Sequence, residues 1–461
     1  MLFRSIGGLG LEIRVVGGKV AFESMRLDPV FGPDAVLEHR GIMKVCIHRG
    51  TQEVGGTCIE IESQGKRIVL DVGLPLEATD SIENLPQVEG FRERCDSLLA
   101  IVISHPHVDH YGLARYLLAG TLMIMGAATE RILKAATLFT PTGMKFKDVL
   151  HLEPGRPLSI GPFTITPYLN DHSAYDAYSL LISDDGQRLF YSGDFRGHGR
   201  KAALFEQFLK HPPIDIDVLL MEGTTIGRSG SEGKFKTEQD LEQEFVEQIR
   251  KTSGMVLVWS SGQNIDRLVT IFKACKTSKR QFVVDLYTAE ILRETGNQKL
   301  PQGTWDGVRV FLPESQKKQV KMSGQYERAK AYSSSRIYPE DLANEASHSV
   351  MLFRPSMVRD LEKAGCLGNA SLIYSLWSGY LKQERQQSFL EWLKKYDIPL
   401  VHCHTSGHAS PEDLQRYAKA IAPKMLVPIH SFETKRFKEY FDNVVMKEDG
   451  QWWEVNSCPK Q

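Results

Sequence analysis

The run His105-Pro106-His107-Val108-Asp109-His110 constrains this chain more than any other stretch. So many donors in six residues arise by chance on the order of once in a thousand chains of this composition, which makes a metal site the leading reading. The run follows an apolar stretch, residues 98–103, that reads as a strand ending at Ser104. The donors then form a loop, and residues 111–118 read as a helix. Across an extended dipeptide step His105 and His107 point the same way. Asp109 and His110, on the next turn, face a second ion. Imidazole with carboxylate suits zinc, with manganese or iron as weaker candidates.

Three downstream residues complete two coordination shells. His172 lies in Asn170-Asp171-His172-Ser173, Asp194 in Tyr191-Ser192-Gly193-Asp194, and His430 in Val427-Pro428-Ile429-His430. Each stands where a strand-like run gives way to a loop, the usual place for functional groups on a rigid scaffold. Singly, such a residue is more often structural than a ligand. Beside the histidine-rich run, all three read as ligands.

With 461 residues, the chain is long enough for two domains or for one interrupted by another. An apolar share of 42% and a charged share of 25% fit a folded globular protein. No apolar run reaches membrane-spanning length and no secretory leader is evident, so no membrane association is expected. The seven cysteines are scattered and never form a C-x-x-C pair. They read as reduced thiols in a cytoplasmic protein. At a net charge of −1, any grip on nucleic acid must come from local positive potential.

Residues 1–42, with Gly7, Gly8, Gly10, Gly17 and Gly18, read as an extension carrying a hairpin or a loose arm, without functional weight. From Met43 the pattern is a series of short strands near 44–48, 58–62, 67–72, 98–103 and 121–125. A second series lies near 163–167, 178–183, 188–191 and 218–221. Strands first with helices outside fit a sandwich. After Glu222 the texture changes. Thr237-Glu-Gln-Asp240 caps a helix carrying Leu241, Phe245 and Ile249 on one face. Strands near 255–259, 281–286, 350–353 and 372–374 then alternate with helices near 265–275 and 289–295, the signature of a βαβ domain. Residues 317–336, rich in Lys and Arg, read as a solvated loop. The expected architecture is a β-rich domain over 43–225 and 390–461, with an α/β domain, 226–389, inserted into it.

The ligand pattern of His105–His110, His172, Asp194 and His430 resembles that of the metallo-β-lactamase superfamily. The resemblance implies an αββα sandwich, with His105, His107 and His172 on one ion, Asp109, His110 and His430 on the other, and Asp194 bridging. Two ions roughly 3.5–4 Å apart would share a hydroxide of near-neutral pKa, the expected nucleophile.

Residues 402–433 narrow the class. Ser410-Pro411-x-Asp413 opens a helix, so the loop from His404 to His408 feeds a helix N-terminus, a natural anion cradle. The Ser406-Gly407-His408-Ala409 and Pro428-Ile429-His430 motifs, with Met221-Glu222-Gly223-Thr224 and Arg354-Pro355-Ser356-Met357, resemble the β-CASP nucleases of the ribonuclease J group. That likeness implies a metal-dependent ribonuclease, a 5′–3′ exonuclease, an endonuclease or both. Asp109, Glu222 and His408 would be catalytic, with His408 protonating the leaving oxygen and Glu222 orienting it. His404, Ser406 and Gly407 would bind a substrate phosphate; the alternative for His404 and Ser406 is a self-satisfied loop.

Two divalent ions are expected, zinc first and manganese second. RNA is the expected partner, as His430 matches the RNA-processing branch; single-stranded DNA is a second candidate and a homodimer the candidate assembly. Two departures stand out. The sequence stops soon after its last expected sandwich strand, so the further C-terminal domain of that group is not expected. Tyr374-Ser-Leu-Trp377-Ser-Gly-Tyr380 differs from that group's proline- and glycine-rich phosphate-binding stretch. Trp377 and Tyr380 read as packing residues, with base stacking the alternative. The competing functions are a small-molecule phosphodiesterase or esterase, a DNA nuclease, and a non-catalytic binding subunit. The last would show degraded ligands, and this chain has none.

Overall fold

The computed structural model describes residues 14–16, 19–21, 41–228 and 233–455. The chain divides into two compact units, 1–40 and 41–461. In the first, Arg14–Val16 pairs antiparallel with Lys19–Ala21.

Two mixed sheets make up the sandwich of the second unit. One runs in the order Trp452–Glu454, Lys44–Arg49, Cys58–Ser63, Lys66–Leu70, Leu98–Val102, Met123–Gly126, Val149–Leu152. The other runs Met425–Ile429, Val218–Glu222, Gln187–Tyr191, Tyr178–Asp184, Phe163–Leu169, Leu158–Ile160. Alternation along each strand sorts the side chains by face. Ile59, Ile61, Ile68, Leu70 and Val102 meet Ile165, Leu180, Ile182, Leu189 and Leu220 in one core between the sheets. Val69, Ile101, Ile103 and Met125 point the other way and pack under Tyr111, Leu113 and Leu133. Phe190, Leu219 and Met221 do the same beneath Phe205, Leu414 and Tyr417. Helical segments outside each sheet complete an αββα sandwich.

A third sheet has seven strands, all parallel, in the order Arg336–Ile337, Val308–Phe311, Gln281–Asp285, Ser349–Phe353, Val256–Trp259, Ser371–Tyr374, Leu400–His402. Both of its faces are buried, which is why strands such as Val-Leu-Val-Trp show no polar alternation.

Three local expectations need correction. The last strand of the parallel sheet, Leu400–His402, pairs with Ser371–Tyr374, so the chain leaves that sheet after His402 rather than near 390. Residues 317–336 are not a loop: Glu314–Ser323 and Tyr326–Lys330 are helices. Burial of Gln316 and Val320 anchors the first, and left-handed Gly324 ends it. The helical turn after the histidine run spans Val108–Tyr111 and takes in Asp109 and His110, with His107 as its extended cap residue. It is followed only by a short 3₁₀ turn, Ala114–Tyr116. Among the described residues, no helix is long and apolar enough to cross a membrane.

Candidate metal centre

The two sandwich sheets bring their strand ends together at one edge. Leu98–Val102 leads to His105, and the turn after it carries Asp109 and His110. From the other sheet, Phe163–Leu169 leads to His172, Gln187–Tyr191 to Asp194, and Met425–Ile429 to His430. Two groups result, His105–His107–His172 and Asp109–His110–Asp194–His430, with candidate ligand atoms within 4.8 Å of one another in each. Asp194 Oδ2 links them, 3.2 Å from His110 Nε2, 3.7 Å from His105 Nε2 and 3.9 Å from His430 Nε2. All seven residues expected as ligands therefore meet.

The backbone is bent to permit this. His430 adopts φ 49°, and its N–H donates to Gly50 O at 2.7 Å. Left-handed backbone is costly for a histidine and is held only where the surroundings over-determine it. Gly73 has no substitute: a Cβ there would lie 1.8 Å from Asp109 O.

The donor atoms fit cations. Nε2 of His105, His110 and His430, Nδ1 of His172 and both carboxylate oxygens of Asp194 are buried without a properly oriented hydrogen-bond partner. Such groups are expensive to bury unless something else satisfies them. Burial pushes His105, His172 and His430 down, and brings His107 to about 4, keeping these rings in the neutral form that binds metal. His110 moves the other way: burial opposes its charge, but the Asp194, Asp71 and Asp109 carboxylates outweigh it. Asp194 sits well below the usual carboxylate range because His110, His430 and His408 overcome its own burial.

Sequence reasoning missed the residues that orient these rings. Asp71 accepts from His110 Nδ1 (2.8 Å), from Ser104 N (2.7 Å) and Oγ (2.8 Å), and from the Tyr191 hydroxyl (2.6 Å). Ser104 Oγ lies 3.0 Å from His105 Nδ1, and Thr57 Oγ1 lies 3.0 Å from His430 Nδ1. Partners on the far nitrogen fix which nitrogen faces an ion. The available signal was an acid at the very end of a strand, in Leu70-Asp71-Val72-Gly73.

A third group joins Asp194 to Glu222 and His408. Glu222 Oε2 is 3.0 Å from His408 Nδ1, while Oε1 accepts from Phe195 N at 3.0 Å. Burial opposes the charge on His408, but Glu222 and Asp194 raise its pKa overall. The expected phosphate residues are placed differently. His404 lies outside the three groups, half-buried, with Nδ1 3.3 Å from Ser375 O. Burial, reinforced by Arg267 and His402, brings it to about 3. Ser406 Oγ accepts from His408 N (3.0 Å), and a Cβ on Gly407 would come 3.0 Å from Ser173 Oγ.

Behind this loop lies a buried charge network, also unforeseen. Arg196 donates to Ser406 O (3.0 Å) and Asp266 (2.6 Å), and approaches Glu238 (3.4 Å) and Asp171 (3.7 Å). Arg267 donates to both carboxylate oxygens of Glu238 at 3.1 Å and to Ser375 O at 3.2 Å. The network joins the parallel-sheet layer to the loop bearing His408 and to the residue before His172. Trp377 is no core residue: it is 48% exposed, because the chain turns outward after Ser375. Tyr380 is half-buried.

Fold and candidate ligand cluster together resemble those of the metallo-β-lactamase superfamily. In agreement, a family model described as Beta-lactamase superfamily domain matches residues 66–259. The chain is 23% identical to Ribonuclease J of Helicobacter pylori over 428 residues, covering 86% of this chain and 56% of that one. It is 23% identical to Ribonuclease J of Mycoplasma genitalium over 412 residues, covering 84% and 67%. Transcription termination factor FttA of Methanothermobacter thermautotrophicus is 26% identical over 231 residues, 45% of this chain and 36% of that one. A crystal structure from Enterococcus faecalis, of a protein of unknown function, shares the fold at TM-score 0.72 and 22% identity, covering 90% of this chain and all of that one. The chain is thus similar to Ribonuclease J proteins over most of its length, and it spans little more than half the length of its Helicobacter relative.

Proposed function

We propose that this protein hydrolyses phosphodiester bonds in RNA with the help of two divalent ions. His105, His107 and His172 would hold one ion, Asp109, His110 and His430 the other, and Asp194 would be shared. Mixed imidazole and carboxylate donors favour zinc, with manganese second. Bound there, the ions lower the pKa of water towards neutrality and offset charge on a phosphoryl oxygen.

The observation that carries the reading is the third group. His408 stands 3.6 Å from Asp194 Oδ2, gripped through Nδ1 by Glu222 at 3.0 Å. A raised pKa lets it keep a proton near neutral pH, and Nε2 is the nitrogen left to deliver that proton to a leaving oxygen. A phosphodiester needs such an acid opposite the attacking water. The loop from His404 to His408 would hold a neighbouring phosphate, with Ser406 and Gly407 nearest the acid. The described cysteines are all free, consistent with a cytoplasmic setting.

The test uses end-labelled RNA bearing a 5′-monophosphate, 5′-triphosphate or 5′-hydroxyl, with Zn²⁺ or Mn²⁺ added. Cleavage is expected, and the products separate the modes: mononucleotides for an exonuclease, discrete fragments for an endonuclease. His408→Ala and Asp109→Ala should each abolish cleavage in folded protein. Turnover of bis(p-nitrophenyl) phosphate without cleavage of RNA or single-stranded DNA would replace this reading with a small-molecule phosphodiesterase. Full activity in His408→Ala would remove the acid.

A further inference from the structure

Several of the large apolar side chains that remain exposed among the described residues lie on segments that adjoin the candidate metal cluster. Phe432 is 58% exposed, two residues beyond His430. Leu76 is 48% exposed; a Cβ on Gly55 would lie 3.0 Å from Leu76 Cγ and 3.1 Å from Asp109 Cβ, so Leu76 borders the same cluster. Trp377 is likewise 48% exposed.

Two segments link Trp377 to the candidate cluster. The first follows Glu222: Thr224 Oγ1 donates to His430 O (3.3 Å) and Thr225 Oγ1 to Ala409 O (2.6 Å), while Arg228 N bonds back to Thr225 O (3.2 Å). This loop is tied to the ligand His430 on one side and to the residue after His408 on the other. The second leaves the parallel sheet at Tyr374, where His402 Nε2 meets Leu376 O (3.0 Å) and Cys403 N donates to Tyr374 O (3.1 Å). Where the two segments meet, the Arg228 guanidinium lies 5.3 Å from the Trp377 ring centre, and the Tyr380 ring meets the indole edge-on at 5.3 Å. A Cβ on Gly379 would lie 2.3 Å from the indole, so the ring packs closely over this residue.

An isolated exposed aromatic calls for no explanation. An exposed indole held between a guanidinium and a second aromatic ring, on segments tied to His430 and Ala409, does.

We infer that Trp377 and Phe432 form a stacking platform that receives nucleobases of a single strand on either side of the scissile phosphate. This inference rests on the ribonuclease reading of the site. Every base has a π-face, so such a platform grips a strand without reading its sequence, and Arg228 beside the indole adds a cation–π contribution. It also suits a chain with a net charge of −1, in which little overall positive charge is available to draw in a phosphate backbone. Duplex RNA, whose bases are already stacked, cannot use it.

The experiment compares wild type, Trp377→Ala, Trp377→Phe and Phe432→Ala with Mn²⁺ added, on single-stranded RNA and on the same RNA carrying one abasic nucleotide at successive positions. Trp377→Ala should raise KM about tenfold or more with kcat little changed, and Trp377→Phe should restore most of it. At one abasic position wild type should lose as much as the variant, and the variant should lose nothing further. Equal cleavage by wild type and both alanine variants would overturn the platform while leaving the ribonuclease reading intact, as would equal losses on every substrate. If wild type cuts no RNA, single-strand binding measured by anisotropy decides the matter: weaker binding by Trp377→Ala keeps the platform and rejects the nuclease, and unchanged or absent binding rejects both. Sedimentation is run alongside, and a wild-type dimer dissociated by Trp377→Ala would assign the patch to a second copy of the chain instead.

Discussion

Asp71 supplies no ligand atom to the cluster, yet its carboxylate collects Ser104 twice, Tyr191 and the metal-side histidine His110. It holds φ 58°, a second left-handed non-glycine residue beside the site. Strain and a full set of donors at one buried residue indicate a group kept for orientation rather than for packing. Asp71→Ala should weaken binding of the ion next to His110 by about 10- to 100-fold, read by competition with a chelating indicator. Binding at wild-type strength would mean that Tyr191 and Ser104 hold His110 without it. The seven candidate ligands were legible because donor type and strand-end position both survive in sequence. Asp71 was not, since what singles it out is a set of partners drawn from positions 104, 110 and 191.

At the scale of elements, Glu238 shows where reading along the chain stops. Its helix, Glu238–Lys251, was visible from its capping box, in which Thr237 accepts from Asp240 N and the Asp240 carboxylate accepts from Thr237 N. That Glu238 turns inward, fully buried against Arg267 and Arg196, was not visible, for its partners lie on other elements. Arg196 and Ser406 are 210 positions apart. The helix Glu314–Ser323 was missed for a similar reason: few apolar residues mark its face, and packing of Val320 decides it. Burial would raise the Glu238 carboxyl, but the two arginines bring it down to about 2 from an ordinary 4.5. A depressed carboxyl stabilises the fold above its ordinary value and loses that contribution as pH falls through the folded one. Glu238→Gln should therefore destabilise the protein by about 3 kcal/mol or more near neutral pH, because it leaves buried guanidinium charge short of a partner. In denaturant melts the gap between wild type and variant should stay constant above about pH 4.5 and narrow towards pH 2. A gap independent of pH over that range would mean that shape, not charge, is what Glu238 contributes.

Across the whole molecule, the candidate ligand cluster is also the seam between the two sandwich sheets. His105, His107, Asp109 and His110 follow a strand of one sheet; His172, Asp194 and His430 follow strands of the other. The shared core holds the sheets together along their length, but at this edge the facing groups are buried nitrogens and a carboxylate with no adequate partners among themselves. Divalent ions at the seam would satisfy groups from both sheets at once, so ion binding and sandwich stability should be coupled. An ion that binds only the folded state adds about 4 kcal/mol when its free concentration is 1,000 times Kd. Stripping the protein with a chelator should accordingly lower the melting temperature, and returning Zn²⁺ or Mn²⁺ should restore it. In a His105→Ala/His172→Ala variant, which removes one ligand from each side of the seam, the chelator-induced shift should shrink markedly. A wild-type melting temperature indifferent to chelation would mean that the sheets are joined by their core alone, and that any ions are held on a seam already closed.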